Sequence, residues 1–247
     1  MIIIRVLWGD KINHEIPPFP LLENEVVYVW GKENNQMLLD RGWKTRLLSS
    51  HMFEGEFNGF GKKIFALNQA LEEFNEVLLL DWDCYLLKPL DNKFYNTLKE
   101  KPIQIPLYIQ HKDTKDSILE ILPPNQSIQM QKELDIMGKG FKKYGWEWED
   151  GYAAPNFGFV YCRDKDFGKK LLKIAINNDL QTVVDEFATL LYVDCTLEEY
   201  IKKYLPSVVR GGSNEKYILN NRLHKLSKKF NDYIDTKIKM TPYFEHI

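Results

Sequence analysis

The spacing of apolar positions predicts alternating strands and helices along the first ninety residues of the chain. Residues 2–7 and 76–80 are short apolar runs, typical of strands that are buried on both faces. Residues 62–74 carry apolar side chains at every third or fourth position, which predicts a helix with one buried face. The other elements predicted here are strands over residues 25–30 and 44–48 and a helix over residues 34–41.

The second half of the chain has a less regular pattern. Residues 112–150 are polar and weakly periodic, which favours a long functional loop with a few helical turns over a linker. The spacing in residues 216–230 leaves helix and loop open. The remaining predictions are strands over residues 103–110 and 157–162 and helices over residues 167–176 and 197–204.

Strands that alternate with helices indicate an α/β fold, in which a mixed, mostly parallel central sheet is flanked by helices on both faces. The composition does not shift along the chain, so we expect a single domain over residues 1–247. In such sheets ligands bind beyond the carboxyl ends of the strands. The residues that follow each strand are therefore the first candidates for function.

Composition excludes several classes of protein. The 247 residues carry a net charge of −2, which argues against a protein that coats nucleic acid. Three scattered cysteines favour a reducing compartment over a disulfide framework. The apolar runs fall far short of the roughly 20 residues that span a bilayer, so no transmembrane segment is expected. The N-terminus has no basic region before its apolar run, and we expect a cytoplasmic protein.

Two aspartates follow the buried strand over residues 76–80. Asp81 and Asp83 are two positions apart, so on an extended segment their side chains share one face, about 6.5–7 Å apart along the chain. Carboxylates suit Mg²⁺ and Mn²⁺, and a divalent cation can neutralise a departing diphosphate. The alternative is that both aspartates solvate a turn. Their place at the mouth of a buried strand favours the functional interpretation, because unpaired carboxylates are costly there.

The segment around these aspartates resembles the GT-A glycosyltransferases. The resemblance lies in residues 61–67 (Gly-Lys-Lys-Ile-Phe-Ala-Leu), residues 76–83 (Glu-Val-Leu-Leu-Leu-Asp-Trp-Asp) and residues 87–90 (Leu-Lys-Pro-Leu). It is closest to the retaining families, which bind a nucleotide-sugar through Mn²⁺ or Mg²⁺ at a D-x-D motif. The resemblance implies a Rossmann-like GT-A domain with a nucleotide-binding half over residues 1–91 and a sugar and acceptor half over residues 92–247.

The same resemblance implies a nucleotide-binding role for the residues after the first strand. Trp8 would stack on the base, and Gly9 and Asp10 would lie against the ribose and base. Lys63 would face the donor phosphate or sugar, with Lys62 as the competing choice. A strand-end turn with a half-buried tryptophan, and ordinary solvated lysines, are the alternatives.

On the sugar side, the resemblance implies roles for Asn156 in an N-x-G segment and for Asp185 or Glu186 at the start of a helix. Asn156 would bond a sugar hydroxyl, and one of the two acidic residues would hold hydroxyls or lie beneath the anomeric carbon. An ordinary turn explains Asn156 equally well. Helix capping or complementarity to the helix dipole explains the two acidic residues without any chemistry.

The C-terminal region supplies a third metal-ligand candidate and a basic segment. By resemblance, His246 on a final strand would complete the metal site with Asp81 and Asp83, and His224 is the second choice. Residues 201–240 hold ten basic and three acidic residues, so the loop at Arg210 could close over the diphosphate. A lysine-rich solvated surface is the alternative. The aromatic cluster Trp146, Trp148 and Tyr152 fits an acceptor platform or the core.

The sequence therefore predicts a metal-dependent transferase of hexosyl or related sugars. The expected donor is a nucleoside-diphosphate sugar, with UDP as the favoured nucleotide, and the acceptor is a glycan or another hydroxyl, with retention of configuration. Two alternatives stay open: a non-catalytic nucleotide- or sugar-binding protein, and a D-x-D phosphohydrolase. The second fits poorly, because that class places its motif after the first strand.

Overall fold

A computed structural model describes residues 1–9, 20, 22–48, 60–111, 124–148, 151–211 and 241–246. Within these ranges a six-stranded sheet forms the centre of the fold. In spatial order its strands are β3 (Thr45–Leu48), β2 (Glu25–Trp30), β1 (Ile2–Leu7), β4 (Val77–Leu80), β10 (Phe159–Cys162) and β6 (Ile103–Gln104).

Four adjacent strands of this sheet, β3, β2, β1 and β4, run parallel to one another. Strand β10 is antiparallel to both of its neighbours, β4 and β6. The prediction of a mixed, mostly parallel sheet is therefore confirmed. The carboxyl ends of β1 and β4 lie side by side, since Ile4 is paired with Leu79. The segments that follow these two strands consequently share one edge of the sheet.

Helices cover both faces of the sheet, as predicted for an α/β fold. The helices of the described residues are α1 (Lys32–Asp40), α2 (Gly61–Glu73), α3 (Asn92–Lys99), α4 (Pro124–Tyr144), α5 (Phe167–Asn177), α6 (Val184–Val193) and α7 (Leu197–Lys203). Ile4 and Leu79 belong to one core cluster with residues of α2 and α4–α7. Ile3 and Leu78 point to the opposite face and form a second cluster with residues of α3. No described helix is long and apolar enough to cross a membrane.

Two three-stranded sheets lie beside the central sheet and pair segments that are far apart in the sequence. The first, in spatial order, contains β11 (Val209–Gly211), β12 (Phe244–His246) and β5 (Cys84–Leu86). The second contains β7 (Leu107–His111), β9 (Gly151–Pro155) and β8 (Glu147–Trp148). The first sheet joins the C-terminal strand to the chain directly after Asp83, and β9 leads directly into Asn156.

The prediction of a long loop over residues 112–150 is wrong, because α4 occupies 21 of these positions. Met130, Leu134, Met137 and Phe141 recur at helical spacing and pack into the core. Pro124 opens the helix, a position where its missing N–H has no helical partner to lose. Polar residues between these apolar positions concealed the pattern.

The prediction of one strand over residues 103–110 is also wrong. The chain there forms β6 in the central sheet and β7 in a smaller one, with Pro106 between them. Proline has no N–H to donate to a strand ladder, which explains the break. The sequence did not predict α3 either. Residues 216–230 lie outside the described part of the chain.

Candidate active site

The acidic pair lies in a turn at the carboxyl end of β4. The backbone N–H of Cys84 donates to the carbonyl of Asp81 at 3.1 Å, which closes the turn, and the N–H of Asp81 donates to Gly158 O at 2.8 Å. The two aspartates are therefore not on an extended segment, and that part of the prediction is wrong. The chain turns here because β5 must leave the central sheet to join the small one. Both aspartates remain partly exposed at the edge of the sheet.

Lys63 joins the turn to helix α6. Its Nζ lies 2.5 Å from Oδ2 of Asp81 and 3.7 Å from Oδ2 of Asp185. Lys63 and Asp185 are buried, whereas the Asp81 side chain is 25% exposed. Helix α2 supplies the lysine from its first turn, where the chain comes back to the edge of the sheet. The structure thus brings together three predicted site residues that are far apart in sequence.

The electrostatics of this group depend on the shared lysine. Burial alone would lower the pKa of Lys63, but Asp81 and Asp185 outweigh burial and raise that pKa, so the ammonium stays charged. Burial raises the pKa of Asp185; Lys63 opposes this rise and the negative charge of Asp81 adds to it. Whether Lys63 also reaches a donor phosphate remains a prediction.

Helix α6 presents both predicted acidic residues in its first turn. Its N-cap is Val183, which makes no side-chain cap bond, so neither acidic residue is the N-cap. Instead, Oδ1 of Asp185 accepts the N–H of Glu186 at 3.1 Å. The carboxylate of Asp185 is buried and turned to Lys63, whereas Glu186 is partly exposed.

Glu133 on α4 anchors the chain that leads into α6, and the sequence analysis missed it. Its fully buried carboxylate accepts the N–H of Gln181 at 2.6 Å and the N–H of Thr182 at 3.1 Å. The Thr182 hydroxyl also donates to it. These bonds fix residues 181 and 182, directly before the N-cap residue Val183, and so set where α6 begins. The sequence did contain a signal for this role, because Glu133 is a charged residue on the apolar face of the helical pattern.

Asn156 and Gly158 lie between β9 and β10, and Gly158 contacts the acidic turn. Oδ1 of Asn156 accepts the N–H of Gly158 at 2.7 Å, which fixes the N-x-G segment as a turn. The Gly158 carbonyl accepts both the Asp81 N–H and, at 3.1 Å, the Cys84 thiol. The ordinary-turn interpretation of Asn156 therefore has support, and its sugar contact stays a prediction.

The residues after β1 lie at the neighbouring strand end. The rings of Trp8 and Phe60 meet edge to face with centroids 6.2 Å apart, and Trp8 is partly exposed. Gly9 has a φ of +65°, a left-handed conformation that glycine adopts without strain. Its carbonyl accepts Nδ2 of Asn34 at 3.2 Å. Asp10 lies outside the described residues.

The contacts of Lys62, Trp146 and Tyr152 show which of the alternative roles predicted for them fits the structure. Nζ of Lys62 lies 5.7 Å from the centre of the Trp30 ring, away from the Lys63 group. Trp146 is fully buried and its indole N–H donates to Cys195 O at 2.8 Å, which places it in the core rather than on an acceptor platform. Tyr152 packs against Phe141 with ring centres 4.9 Å apart.

The backbone of β12 places His246 beside the acidic turn. His246 is paired with Cys84, the residue that follows Asp83, and Arg210 on β11 is paired with Glu245. The predicted metal residues Asp81, Asp83 and His246 thus come from adjoining segments of one sheet edge. The prediction of a loop at Arg210 is wrong, because this residue pairs within a strand of the small sheet. His224 and the residues after Gly211 lie outside the described part of the chain.

The donor set of the turn fits a hard divalent cation. Asp81 and Asp83 offer carboxylate oxygens, and Lys63 engages one oxygen of Asp81. Among the side chains that the structure describes, no group of three or more histidines, cysteines, aspartates or glutamates could hold a metal. Further ligands would therefore come from a side chain outside this set, with His246 as the predicted candidate, or from a bound diphosphate or water.

Comparison with known proteins shows a distant likeness to solved structures. No family model matches the chain, and no curated protein matches it. Among solved structures, the chain is similar to mouse xyloside xylosyltransferase 1 in its apo form. The sequence identity is 11%, the alignment covers 100% of this chain and 96% of that chain, and the TM-score is 0.48. A likeness this distant leaves the function to be inferred from the chain's own residues.

Proposed function

We propose that this chain is a metal-dependent glycosyltransferase that moves a sugar from a nucleoside-diphosphate sugar, with UDP as the favoured nucleotide, to a hydroxyl acceptor such as a glycan. The observation that carries the proposal is the convergence of Asp81, Lys63 and Asp185 at the carboxyl end of β4. This is the edge at which parallel α/β sheets bind ligands. A D-x-D motif in that place matches the GT-A resemblance.

In this proposal Asp81, Asp83 and His246 hold Mn²⁺ or Mg²⁺ together with the donor diphosphate. When bound, the cation supplies charge neutralisation for the departing nucleoside diphosphate. Lys63 holds Asp81 and Asp185 at fixed positions, because one buried ammonium contacts both carboxylates. Arg210 on β11 would add positive charge for the diphosphate.

The nucleotide and the sugar then occupy opposite sides of the turn. Trp8 and Gly9, at the end of β1, would line the nucleotide side, and Asp10, the next residue in the sequence, would contact the ribose or base. Asn156 and the carboxylates at the start of α6 position the sugar. We propose that the anomeric configuration is retained and that the departing diphosphate oxygen accepts the acceptor's proton, so that no protein base is needed. An inverted product, observed by NMR, would contradict retention without affecting the rest.

The experiment that tests the proposal is donor turnover by the Asp83→Ala variant. We expect release of free nucleoside diphosphate from UDP-sugars to fall by more than the roughly 10–100-fold typical of replacing a residue that only supports a metal ligand, because here the carboxylate ligand itself is missing. Asp135→Ala is the matched control, since Asp135 is an exposed aspartate on α4, and it should turn over donor like the wild type. Unaltered turnover by Asp83→Ala would contradict the metal role. A binding protein without activity would bind UDP-sugar and release no product.

A further inference from the structure

Arg5 is a buried cation in the middle of an otherwise apolar strand. It lies between Ile4 and Val6 on β1 and is only 2% exposed. Its Nε donates to Oε1 of Glu25 on β2 at 3.0 Å, and Glu25 is also buried. Apolar side chains of similar volume usually stabilise a fold at least as well as a buried ion pair does. Stability alone therefore gives no reason for an arginine at this position.

The second contact of Arg5 reaches the acidic turn. Its Nη1 donates to the backbone carbonyl of Asp81 at 2.5 Å. The same carbonyl accepts the N–H of Cys84 that closes the turn. A charged donor makes the stronger kind of hydrogen bond, and here the donor itself is buried. Arg5 thus fixes the peptide group from which the turn begins.

Strand β1 also holds the residue between the two aspartates. The guanidinium carbon of Arg5 lies 5.3 Å from the centre of the Trp82 ring. The indole N–H of Trp82 donates to the carbonyl of Val6 at 3.0 Å. The edge of the Trp82 ring also meets Trp43, with ring centres 5.6 Å apart. Strand β1 therefore holds both the carbonyl that precedes Trp82 and the Trp82 side chain, and these two contacts orient the turn that carries Asp81 and Asp83.

We propose that Arg5 is a positioning residue for the divalent cation: it presets the Asp81–Trp82–Asp83 turn through its bond to the Asp81 carbonyl. This inference rests on the proposed metal role of the two aspartates. Residues that orient the ligands of a metal, without touching it, typically change metal affinity about 10–100-fold when they are replaced. We expect an effect of that size on Mn²⁺ binding when the Arg5 bond is lost.

The test is Mn²⁺ affinity of the full chain in the presence of UDP, measured by the electron paramagnetic resonance signal of free Mn²⁺. Removing Arg5 alone would strand the Glu25 charge in the core. The informative variant is therefore the double replacement Arg5→Met with Glu25→Leu, which exchanges the ion pair for apolar side chains. Arg5→Lys is the second variant, because an ammonium lacks the rigid fork of donors with which the guanidinium reaches Glu25 and the Asp81 carbonyl together.

Two controls separate positioning from general stability. Glu25→Gln keeps an oxygen for Nε of Arg5 and leaves the bond to the Asp81 carbonyl intact, so Mn²⁺ affinity should stay close to that of the wild type. Met137→Ala removes a buried side chain on α4 and lowers the melting temperature without touching the turn. It should bind Mn²⁺ like the wild type.

The inference is supported if both Arg5 variants bind Mn²⁺ about 10–100-fold more weakly while the two controls do not. It is overturned if a folded Arg5 variant keeps wild-type affinity, or if affinity follows melting temperature in all variants, Met137→Ala included. If the wild type itself binds no Mn²⁺ with UDP, the proposed function fails and the role of Arg5 fails with it. The two failures are thus distinguished by the wild-type measurement.

Discussion

Nζ of Lys63 lies 2.5 Å from Oδ2 of Asp81, so helix α2 is tied to the end of strand β4 by an ion pair between a buried lysine and a partly exposed aspartate. We expect Lys63→Met to lower the free energy of unfolding by about 3–5 kcal/mol, because it leaves two facing carboxylates without their cation. Urea denaturation measures the change. The neighbouring Lys62→Met, which loses a contact with an aromatic ring, should cost less than about 1 kcal/mol. Equal losses of stability in the two variants would contradict the claim that Lys63 neutralises both Asp81 and Asp185.

The carboxylate of Glu133 should hold the start of α6 through its bonds to residues 181 and 182. Glu133→Gln replaces one accepting oxygen with an NH₂ group that faces backbone N–H groups. We expect a loss of about 1–3 kcal/mol and faster amide hydrogen exchange at the start of α6. Asp135→Asn on the exposed side of the same helix is the control. Exchange at Asp185 that is equally slow in both variants would show that Glu133 does not anchor the helix.

Two helical glycines should respond to alanine in opposite directions. A Cβ at Gly168 would lie 2.7 Å from Cα and 2.9 Å from the backbone N of Asn68 on α2, and backbone atoms cannot yield cheaply. Gly168→Ala should therefore destabilise the fold by about 1–3 kcal/mol. A Cβ at Gly138 would meet nothing within 4 Å, so Gly138→Ala should stabilise by about 0.5–1 kcal/mol. Thermal unfolding of both variants measures these shifts. A Gly168→Ala variant as stable as the wild type would refute the close contact of α2 with α5.

The hydroxyl of Tyr243 should contribute a pH-dependent part of the stability. It donates to Oδ1 of Asp91 at 2.7 Å, and this bond, followed by the Phe94 N–H, holds the pKa of that carboxyl below its usual value. The stabilisation is present above the unfolded pKa of about 4 and is lost as the pH falls through the lowered folded pKa. The stability difference between the wild type and Tyr243→Phe should thus shrink below about pH 4. Urea denaturation across pH tests this, and a constant difference would contradict it.

The sequence predicted the parts of the fold that depend on local pattern. The strands beside Asp81 and the helix that carries Lys63 could be read from runs and spacing, and the shared strand edge then follows from parallel topology. The contacts that organise the site could not be predicted. Glu133 and Thr182, for example, are 49 positions apart, and Arg5 lies 76 positions before the carbonyl that it bonds. Such pairings depend on how α4 and β1 pack, which periodicity does not specify.

The central claim is that Asp81 and Asp83 bind a divalent cation together with a nucleoside diphosphate. The most direct measurement is the melting temperature of the chain with a panel of nucleoside diphosphates, each with and without Mn²⁺. Ligand near 100 times its Kd adds about 2.7 kcal/mol to the stability of the folded state. The account predicts that at least one diphosphate, with UDP favoured, raises the melting temperature only when Mn²⁺ is present, and that Asp83→Ala abolishes the rise. Melting temperatures that are the same with and without Mn²⁺ for every diphosphate would contradict it.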